Sequence, residues 1–330
     1  MQYRRFGKTE LLVSEIGFGA WAIGGNARVG EIPIGWGQAD DHESHEAIHA
    51  ALHNGINFFD TADFYGLGHS ELLLGNALKE HPDVIIASKV GHRSVSGKIV
   101  LDYSYEYIIS ACEQSLKRLG REAIDYYQLH SAQVKHFEQG ECIEAMERLK
   151  QQGKIRYWGV SLNTFNPFPE ARYLIDHKLG HGLQLVLNLI NQRAKSIVRE
   201  AGENDLGIIA RMPLQFGLLT GKFTSKTKFE TDDHRSFRLT EEIIKNTLKV
   251  LDEKVWPIAR AEQMSKTAIA LNFILNFPEV STVITGIRTT SHVQQNTTGI
   301  KKLSDLHARY LQSLSEEDWK PVMEMMEKQG

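Results

Sequence analysis

The sequence has little cysteine and no clustered excess of one charge. Only two of its 330 residues are cysteines, Cys112 and Cys142, and both fall on apolar helical stripes. Such cysteines usually behave as small buried hydrophobic residues, so we predict neither a disulfide nor a redox role. Cys and His spacings typical of a metal site are missing, and no metal is expected. The 38 basic and 41 acidic residues give a net charge of −3, whereas a nucleic-acid-binding surface needs a clustered basic excess.

Long apolar runs are missing as well. No run approaches the ~20 residues that cross a bilayer. The first residues, MQYRRFGKTELL, carry charges where a signal peptide has its apolar core. We therefore expect no membrane association and a cytoplasmic location.

Eight short apolar runs alternate with amphipathic helical patterns. The predicted strands are residues 15–21, 57–62, 83–90, 125–130, 155–161, 183–188, 207–213 and 282–287. Their near-continuous apolar character is typical of strands buried on both faces of a parallel sheet. Predicted helices begin at an Asp41 cap, cover 104–119 and 141–152, and follow Pro167 up to Gly180. The pattern predicts an α/β fold, a (β/α)8 TIM barrel spanning residues 1–330 as one domain, with a doubly wound open sheet as the alternative.

Three segments exceed a minimal barrel. Residues 1–14 are predicted to form a β-hairpin that caps one end. Residues 23–41 are a long glycine-rich loop, and residues 222–260 hold a basic loop and then a helix. Because long loops in barrels usually shape the active-site mouth, we expect these extra loops and helices at the C-terminal face.

One glycine pattern points to a different fold. The stretch GFGAWA, residues 17–22, matches the G-x-G-x-x-A fingerprint of a Rossmann dinucleotide site. That fingerprint needs a helix immediately after it, and here a glycine-rich loop follows. The Rossmann interpretation is therefore the less favoured one.

Polar residues end three neighbouring predicted strands. Asp60, with Tyr65 just beyond it, ends the second strand, Lys89 the third and His130 the fourth. Since the carboxyl ends of barrel strands meet on one face, we expect these side chains to lie together. Each alone has an ordinary alternative: a loop acid, a lysine that reaches solvent, a core histidine. A buried Lys89 needs a partner, however, and Asp60 on the adjacent strand supplies one.

Nine stretches resemble the aldo-keto reductase family, in the family's order and over nearly the whole chain. They are GFGAW, NFFDTADFYG, GHSELLLGNAL, SKVG, YYQLH, GKIRYWGVS, LQLVLNLINQRA, PLQFGLLTGKF and GIRTTSHVQQN. The resemblance implies a (β/α)8 barrel that binds NADP(H) without a Rossmann domain. It also implies reversible reduction of an aldehyde or ketone to an alcohol, of the alcohol dehydrogenase or carbonyl reductase type.

The resemblance makes Asp60, Tyr65, Lys89 and His130 a catalytic tetrad. Carbonyl reduction needs a hydride at carbon and a proton at the developing alkoxide. Tyr65 would supply the proton, helped by the Lys89 ammonium, because a nearby cation favours the phenolate form. Asp60 would hold Lys89 in place, and His130 would orient the carbonyl.

The resemblance also implies cofactor-contacting residues at the strand ends. They are Gly19, Trp21, Ser161, Asn163, Gln184, Pro213, Leu214, Gly217, Leu218, Thr220, Lys222, Gly286, Arg288, His292, Gln295 and Asn296. Ser161, Asn163 and Gln184 would hold the nicotinamide carboxamide, although the family often has GVSN where this chain has GVSLN. Leu214 to Lys222 would pass the pyrophosphate.

The last motif decides the expected cofactor. Arg288 matches the residue that pairs with the adenosine 2′-phosphate, and a guanidinium suits that group. We therefore expect NADP(H) rather than NAD(H). Asn296 matches an adenine contact. The family often has Gln where this chain has His292 and Glu where it has Gln295.

Two other functions stay open at this point. The family includes nucleotide-binding, channel-associated β subunits with little turnover. A barrel aldolase would use Lys89 as a Schiff-base lysine, which requires a depressed pKa, whereas Asp60 favours the charged form. The expected partner is a small carbonyl substrate in a pocket with Trp21, Phe64 and His92. The sequence leaves the substrate open and is compatible with an oligomer.

Overall fold

Eight parallel strands close into a barrel in a computed structural model that describes residues 1–35, 37–230, 233 and 235–329. They are β1 (Ile16–Gly19), β2 (Phe58–Asp60), β3 (Ile85–Val90), β4 (Ile124–His130), β5 (Ile155–Ser161), β6 (Gly182–Val186), β7 (Gly207–Arg211) and β8 (Thr282–Gly286). Strand β8 returns to β1 in parallel register, with Val283 opposite Ile16 and Gly286 opposite Gly19. This closure confirms the predicted (β/α)8 TIM barrel and excludes the open sheet.

Helices surround the barrel and follow its strands. They are α1 (Asp41–His53), α2 (His69–Ala77), α3 (Tyr105–Leu119), α4 (Val134–Gln139), α5 (Glu141–Gln151), α6 (Phe168–Asp176), α7 (Lys195–Glu203), α8 (Arg235–Arg238), α9 (Glu241–Val250), α10 (Trp256–Ala261), α11 (Lys266–Leu275), α12 (Thr290–Thr297), α13 (Asp305–Ser313) and α14 (Lys320–Lys328). Short 3₁₀ turns cover Ala22–Gly24, Tyr65–Gly68 and Gln215–Thr220, and a π turn at Leu251–Val255 joins α9 to α10. In the described part of the chain, no helix has the length and apolar character needed to cross a membrane.

The helix ends follow the sequence with two corrections. Asp40, not Asp41, caps α1: its backbone is extended and its carboxylate accepts a hydrogen bond from the Glu43 amide. Asp41 is already helical, where its charge complements the dipole of the first turn. Helix α3 ends as predicted at Gly120, whose φ of 63° is left-handed. Helix α6 follows Pro167 but ends at Asp176, before the predicted Gly180.

The barrel interior has its own apolar core beneath the mouth. Phe58, Ile85, Ala87, Tyr126, Ile209 and Ile284 form it, together with Phe6, Leu11 and Val13 from the hairpin of Tyr3–Arg5 and Leu12–Ser14. The predicted N-terminal hairpin cap is therefore confirmed. Phe6 lies so close to β7 that a Cβ on Gly207 would stand 2.5 Å from its ring atoms. A second core, which includes the buried Cys112 and Cys142, fills the space between strands and helices.

Two small hairpins stand at the C-terminal face. The first, Arg28–Val29 with Ile32–Pro33, lies inside the segment 23–41 that was predicted as loop. The second, His92–Val95 with Lys98–Leu101, follows β3. Their turns touch, since a Cβ on Gly30 would be 2.5 Å from the Gly97 carbonyl oxygen. Within 222–260 the predicted helix is divided into α8, α9 and α10, and Thr231, Asp232 and His234 lie outside the described residues, as does Trp36.

Candidate active site

Asp60, Lys89 and Tyr65 form one bonded group at the C-terminal ends of β2 and β3. Lys89 Nζ donates to Asp60 Oδ1 at 2.5 Å, to the Thr61 carbonyl at 2.8 Å and to the Tyr65 hydroxyl at 3.2 Å. Lys89 has no exposed surface. Burial by itself lowers the pKa of Lys89, but the charges and hydrogen bonds of Asp60 and Tyr65 outweigh it and raise that pKa above its ordinary value. The lysine is therefore a fixed cation beside a phenol.

Two glutamines complete the shell around Asp60. Its second oxygen, Oδ2, accepts from Gln128 Nε2 at 3.0 Å and from Gln184 Nε2 at 2.8 Å. With Lys89 on Oδ1, each carboxylate oxygen is bonded, which is what a buried anion needs. Sequence reasoning missed Gln128. It lies two residues after Tyr126 and two before His130 along β4, so the period-2 pattern of a strand puts all three on the same, inward face.

Aromatic rings surround the Tyr65 phenol. The Trp21 ring stacks at 6.0 Å between centroids, and the His130 ring meets Tyr65 edge-on at 5.9 Å. His130 in turn contacts His92 at 4.4 Å, and His92 contacts Phe64 at 5.5 Å. The structure thus brings all four predicted tetrad residues together and places the three predicted pocket residues around them.

The two histidines are neutral at physiological pH. Burial lowers the pKa of His92 to about 4. Burial, reinforced by His92, Lys89 and Arg211, lowers the pKa of His130 well below its ordinary value. Among the described residues, the Nδ1 atoms of both rings are buried without a hydrogen-bond partner. A neutral imidazole keeps one N–H donor, and such a donor suits an oxygen placed between His130 and Tyr65.

The predicted carboxamide residues are split between the site and its rim. Ser161 Oγ donates to Gln184 Oε1 at 3.4 Å, and strand register places Ser161 beside His130. Asn163 lies outside this group: it is exposed, and its side-chain oxygen accepts from the amides of Phe165 and Asn166. The extra residue in GVSLN carries Asn163 into this turn, and Leu162 is buried instead.

The loop after β7 has an unusual backbone. Met212, Gln215 and Phe216 are non-glycine residues with φ of 55°, 43° and 55°. Left-handed backbone at bulky residues is strained and concentrates at functional sites. Beyond these, Gly217 has φ of 98°, and Thr220 Oγ1 donates to its carbonyl at 2.7 Å. Of the other predicted residues here, Pro213 and Leu218 are buried, Leu214 is half-buried and Lys222 is exposed.

The loop after β8 gathers positive charge at the start of α12. Arg288 is half-buried and donates to the Gln38 carbonyl, while its amide donates to His292 Nδ1 at 3.3 Å. Burial lowers the pKa of His292, and so do the nearby charges of Lys222 and Arg288. Asn296 is buried on the same helix, and Gln295 donates to Ser291 at 2.8 Å.

The backbone is accessible at Gly286, where the last barrel strand, β8, pairs with the first, β1. A Cβ on Gly286 would meet no atom within 4 Å, whereas one on its neighbour Gly19 would stand 2.9 Å from the Thr285 carbonyl oxygen. Gly286 therefore offers bare backbone to a ligand that crosses from β8 towards the tetrad.

Two further charged groups near the tetrad were not predicted. Glu71, fully buried, accepts from Arg118 Nε at 2.7 Å and from Ser88 Oγ at 2.5 Å. Arg211 ends β7 and is close enough to affect His130 electrostatically. Burial, and then the charge of Glu71, raises the pKa of Asp63 well above its ordinary value. Arg211 could have been noticed as a charge that interrupts the apolar run GIIARMP.

Comparisons with known proteins agree with this geometry. A sequence model described as "Aldo/keto reductase family" matches residues 15–316. The chain is 28% identical over 323 residues to the uncharacterized oxidoreductase YqkF of Bacillus subtilis (strain 168), covering 96% of this chain and 98% of that protein. It is 35% identical over 241 residues to the aldo-keto reductase YhdN of the same organism, covering 72% and 69%. The solved glycerol dehydrogenase AKR11B4 from Gluconobacter oxydans superposes with a TM-score of 0.80 at 30% identity, covering 95% and 94%.

Proposed function

The chain belongs to the aldo/keto reductase family, an oxidoreductase family, and on this premise we propose that it reduces an aldehyde or ketone to an alcohol with NADP(H). The observation that carries the proposal is the position of Lys89. Its ammonium donates hydrogen bonds simultaneously to Asp60 at 2.5 Å and to the Tyr65 hydroxyl at 3.2 Å. Such a phenol beside a fixed cation is equipped to release and regain a proton.

The proposed mechanism assigns one task to each tetrad residue. Tyr65 donates its hydroxyl proton to the carbonyl oxygen as negative charge develops there. Lys89 stabilises the phenolate that remains, and Asp60 keeps Lys89 charged and in place. His130, neutral, donates an N–H to the same oxygen and orients the carbonyl. The nicotinamide, when bound, supplies the hydride.

The residues present fit nicotinamide adenine dinucleotide phosphate. Ser161 and Gln184 offer a hydroxyl and an amide for the carboxamide. Gly286 leaves bare backbone open, and the strained loop from Met212 to Gly217 fits the pyrophosphate path. Lys222 and Arg288 lie close enough to His292 to lower its pKa, and such a group suits the 2′-phosphate at the start of α12. This grouping supports NADP(H) over NAD(H), and we place the adenine beside Asn296.

The pocket residues bear on the substrate class, and the tetrad bears on the two alternative functions. Trp21, Phe64 and His92 give an aromatic wall that suits a carbonyl with an apolar or hydroxylated chain. The raised pKa of Lys89 argues against a Schiff-base aldolase, since that chemistry needs a neutral amine. The complete tetrad supports turnover rather than a purely nucleotide-binding, channel-associated role. We also propose that residues 1–330 act as one domain.

The test is a screen of carbonyl compounds with NADPH, following its absorbance, with NADH run in parallel. Because a structural relative is a glycerol dehydrogenase, the panel includes glyceraldehyde and dihydroxyacetone, and glycerol with NADP⁺ in the reverse direction. We expect turnover with at least one carbonyl, and faster turnover with NADPH than with NADH. NADPH binding without turnover of any panel member would favour the nucleotide-binding role, and trapping of a substrate on Lys89 by borohydride would favour the aldolase.

A further inference from the structure

Arg211 is a half-buried cation without a bonded carboxylate in the described ranges. Its Nη2 donates to the Leu162 carbonyl at 3.0 Å and to Thr164 Oγ1 at 3.1 Å, and its Nη1 contacts Met212 Sδ at 3.1 Å. All three partners are uncharged. Among the residues described, Nε is buried with no hydrogen-bond partner. The guanidinium is thus firmly held in position, and its charge is left without a bonded counter-ion.

The charge of Arg211 persists despite its surroundings. Burial lowers the pKa of Arg211, and Arg238 adds to that effect, while Tyr65 and Asp60 oppose it. A guanidinium is so strong a base that it stays protonated in proteins. The charge is therefore positive in the working pH range, and low polarity around it strengthens its effect on any neighbouring charge.

Arg211 lines a cavity of about 140 Å³. Trp21, which stacks on Tyr65, forms part of the same lining, as do Gln215 and Arg238. The cavity therefore extends from the side of Trp21 to the end of β7. Two arginines, Arg211 and Arg238, line the cavity, and none of the described residues in its lining carries a carboxylate.

The order of strand ends places a nicotinamide ring against this cavity, if the function proposed above is right. The carbonyl is held from β2, β3 and β4, and the carboxamide is held by Ser161 on β5 and Gln184 on β6. The next strand is β7, where Arg211 pairs in register with Val186 of β6. A ring that turns one face towards Tyr65 and His130 then has its other face towards Arg211.

We propose that Arg211 sets the preference of this protein between the two redox states of its cofactor. The nicotinamide ring is cationic when oxidised and neutral when reduced, and the phosphates are the same in both states. A fixed positive charge behind the ring therefore disfavours the oxidised form alone. The protein should hold NADPH more tightly than NADP⁺, release NADP⁺ readily after a reduction, and favour hydride transfer to the ring within the complex.

The test measures binding, not turnover. The dissociation constants of NADPH and NADP⁺ are determined by calorimetry or fluorescence for wild type, Arg211→Met, which removes the charge at similar length, and Arg211→Lys, which keeps it. Wild type should bind NADPH at least ~10-fold more tightly than NADP⁺, the size of effect that a neighbouring like charge has on an ionisation. Arg211→Met should reduce that ratio several-fold, and Arg211→Lys should leave it nearly unchanged.

Different outcomes separate the two proposals. Equal binding of both forms by wild type, or the same ratio in Arg211→Met as in wild type, would overturn the inference and leave the reductase function standing. Binding of neither form would overturn both. If Arg211→Met does not fold because the Leu162 and Thr164 contacts are lost, Arg211→Gln, which keeps an amide donor without charge, takes its place in the comparison with wild type.

Discussion

Gln184 links Ser161 to Asp60: its Oε1 accepts from Ser161 Oγ at 3.4 Å, and its Nε2 donates to Asp60 Oδ2 at 2.8 Å. Because Asp60 Oδ1 bonds Lys89 and Lys89 bonds Tyr65, a continuous chain of polar contacts runs from the proposed carboxamide site to the proposed acid. The side chain expected to fix the hydride donor therefore also steadies the group that controls the proton.

Replacing Tyr65 by Phe should abolish most reductase activity and spare the cofactor. Phe keeps the ring that stacks on Trp21 but lacks the hydroxyl that bonds Lys89. General acid catalysis is typically worth ~10²–10⁴-fold, so we expect kcat to fall by about that factor while the Kd of NADPH changes less than threefold. A kcat within a few-fold of wild type would show that Tyr65 is not the acid.

Breaking the Asp60–Lys89 pair should cost stability, and removing both charges should restore part of it. Lys89 is fully buried and Asp60 nearly so. Lys89→Met leaves the carboxylate without its partner, at a cost of ~3–5 kcal/mol in the free energy of unfolding. In Asp60→Asn/Lys89→Met neither charge remains, and we expect a smaller loss than in the single variant. Urea unfolding of the variants checks this, and simple additivity would contradict the coupling.

Arg288→Ala should weaken binding of NADPH much more than binding of NADH. The guanidinium is expected to pair with the 2′-phosphate, which NADH lacks. Arg309→Ala serves as a control, because Arg309 is exposed on α13, outside the proposed site. Calorimetric titration should show a loss of ~10-fold or more for NADPH only. An equal loss for both cofactors would remove the 2′-phosphate assignment.

His92 should make stability fall in acid. Its pKa is about 4 in the folded protein against 6.5 for an ordinary histidine, so between those values the unfolded chain binds a proton that the folded protein does not. Stability is therefore lost as pH falls from about 6.5 to about 4, by up to ~3 kcal/mol from this residue. In His92→Phe, which keeps a ring against Phe64, unfolding free energy measured from pH 7 to 4 should decline less steeply. Parallel curves for the two proteins would contradict the prediction.

Alanine at Gly207 should destabilise the protein through its clash with Phe6. Overpacking of this kind typically costs ~1–3 kcal/mol, and Phe6→Leu in the same chain should recover part of it by making space. Gly286→Ala is the matched control for stability, since its Cβ meets no atom within 4 Å. Thermal unfolding compares the three variants. A loss at Gly286 as large as that at Gly207 would mean that the cause is not the Phe6 contact.

The eight strands, and the meeting of Asp60, Lys89 and His130 on one face, could be predicted because their signals are local. Each strand is a short apolar run, and Asp60, Lys89 and His130 interrupt three of those runs at their ends. Gln128 and Arg211 were harder to predict, because their importance comes from what neighbouring strands place beside them. Gln128 matters through its register with Lys89 of β3.

The remaining misses have equally physical causes. Asp40 and Asp41 are adjacent acids, and only backbone geometry decides which one is the cap. The hairpin in 23–41 has strands of two residues, too short for an apolar period to show. Asn163 sits one residue later than in the resembling motif, and a single residue is enough to move its side chain from the site into a local turn.

The closed ring of strands also constrains how the chain reaches its native state. Strand β1 cannot complete its pairing until β8 is in place beside it. Thr285 Oγ1 of β8 donates to the Gly17 carbonyl of β1 across 268 positions of sequence. Contacts of such separation form late, because closing the long loop costs chain entropy before any contact stabilises it. We therefore expect pulse-labelled amide exchange during refolding to protect β4 and β5 before β1. Strand β1, which precedes every other barrel strand in the sequence, is then among the last to gain both of its neighbours.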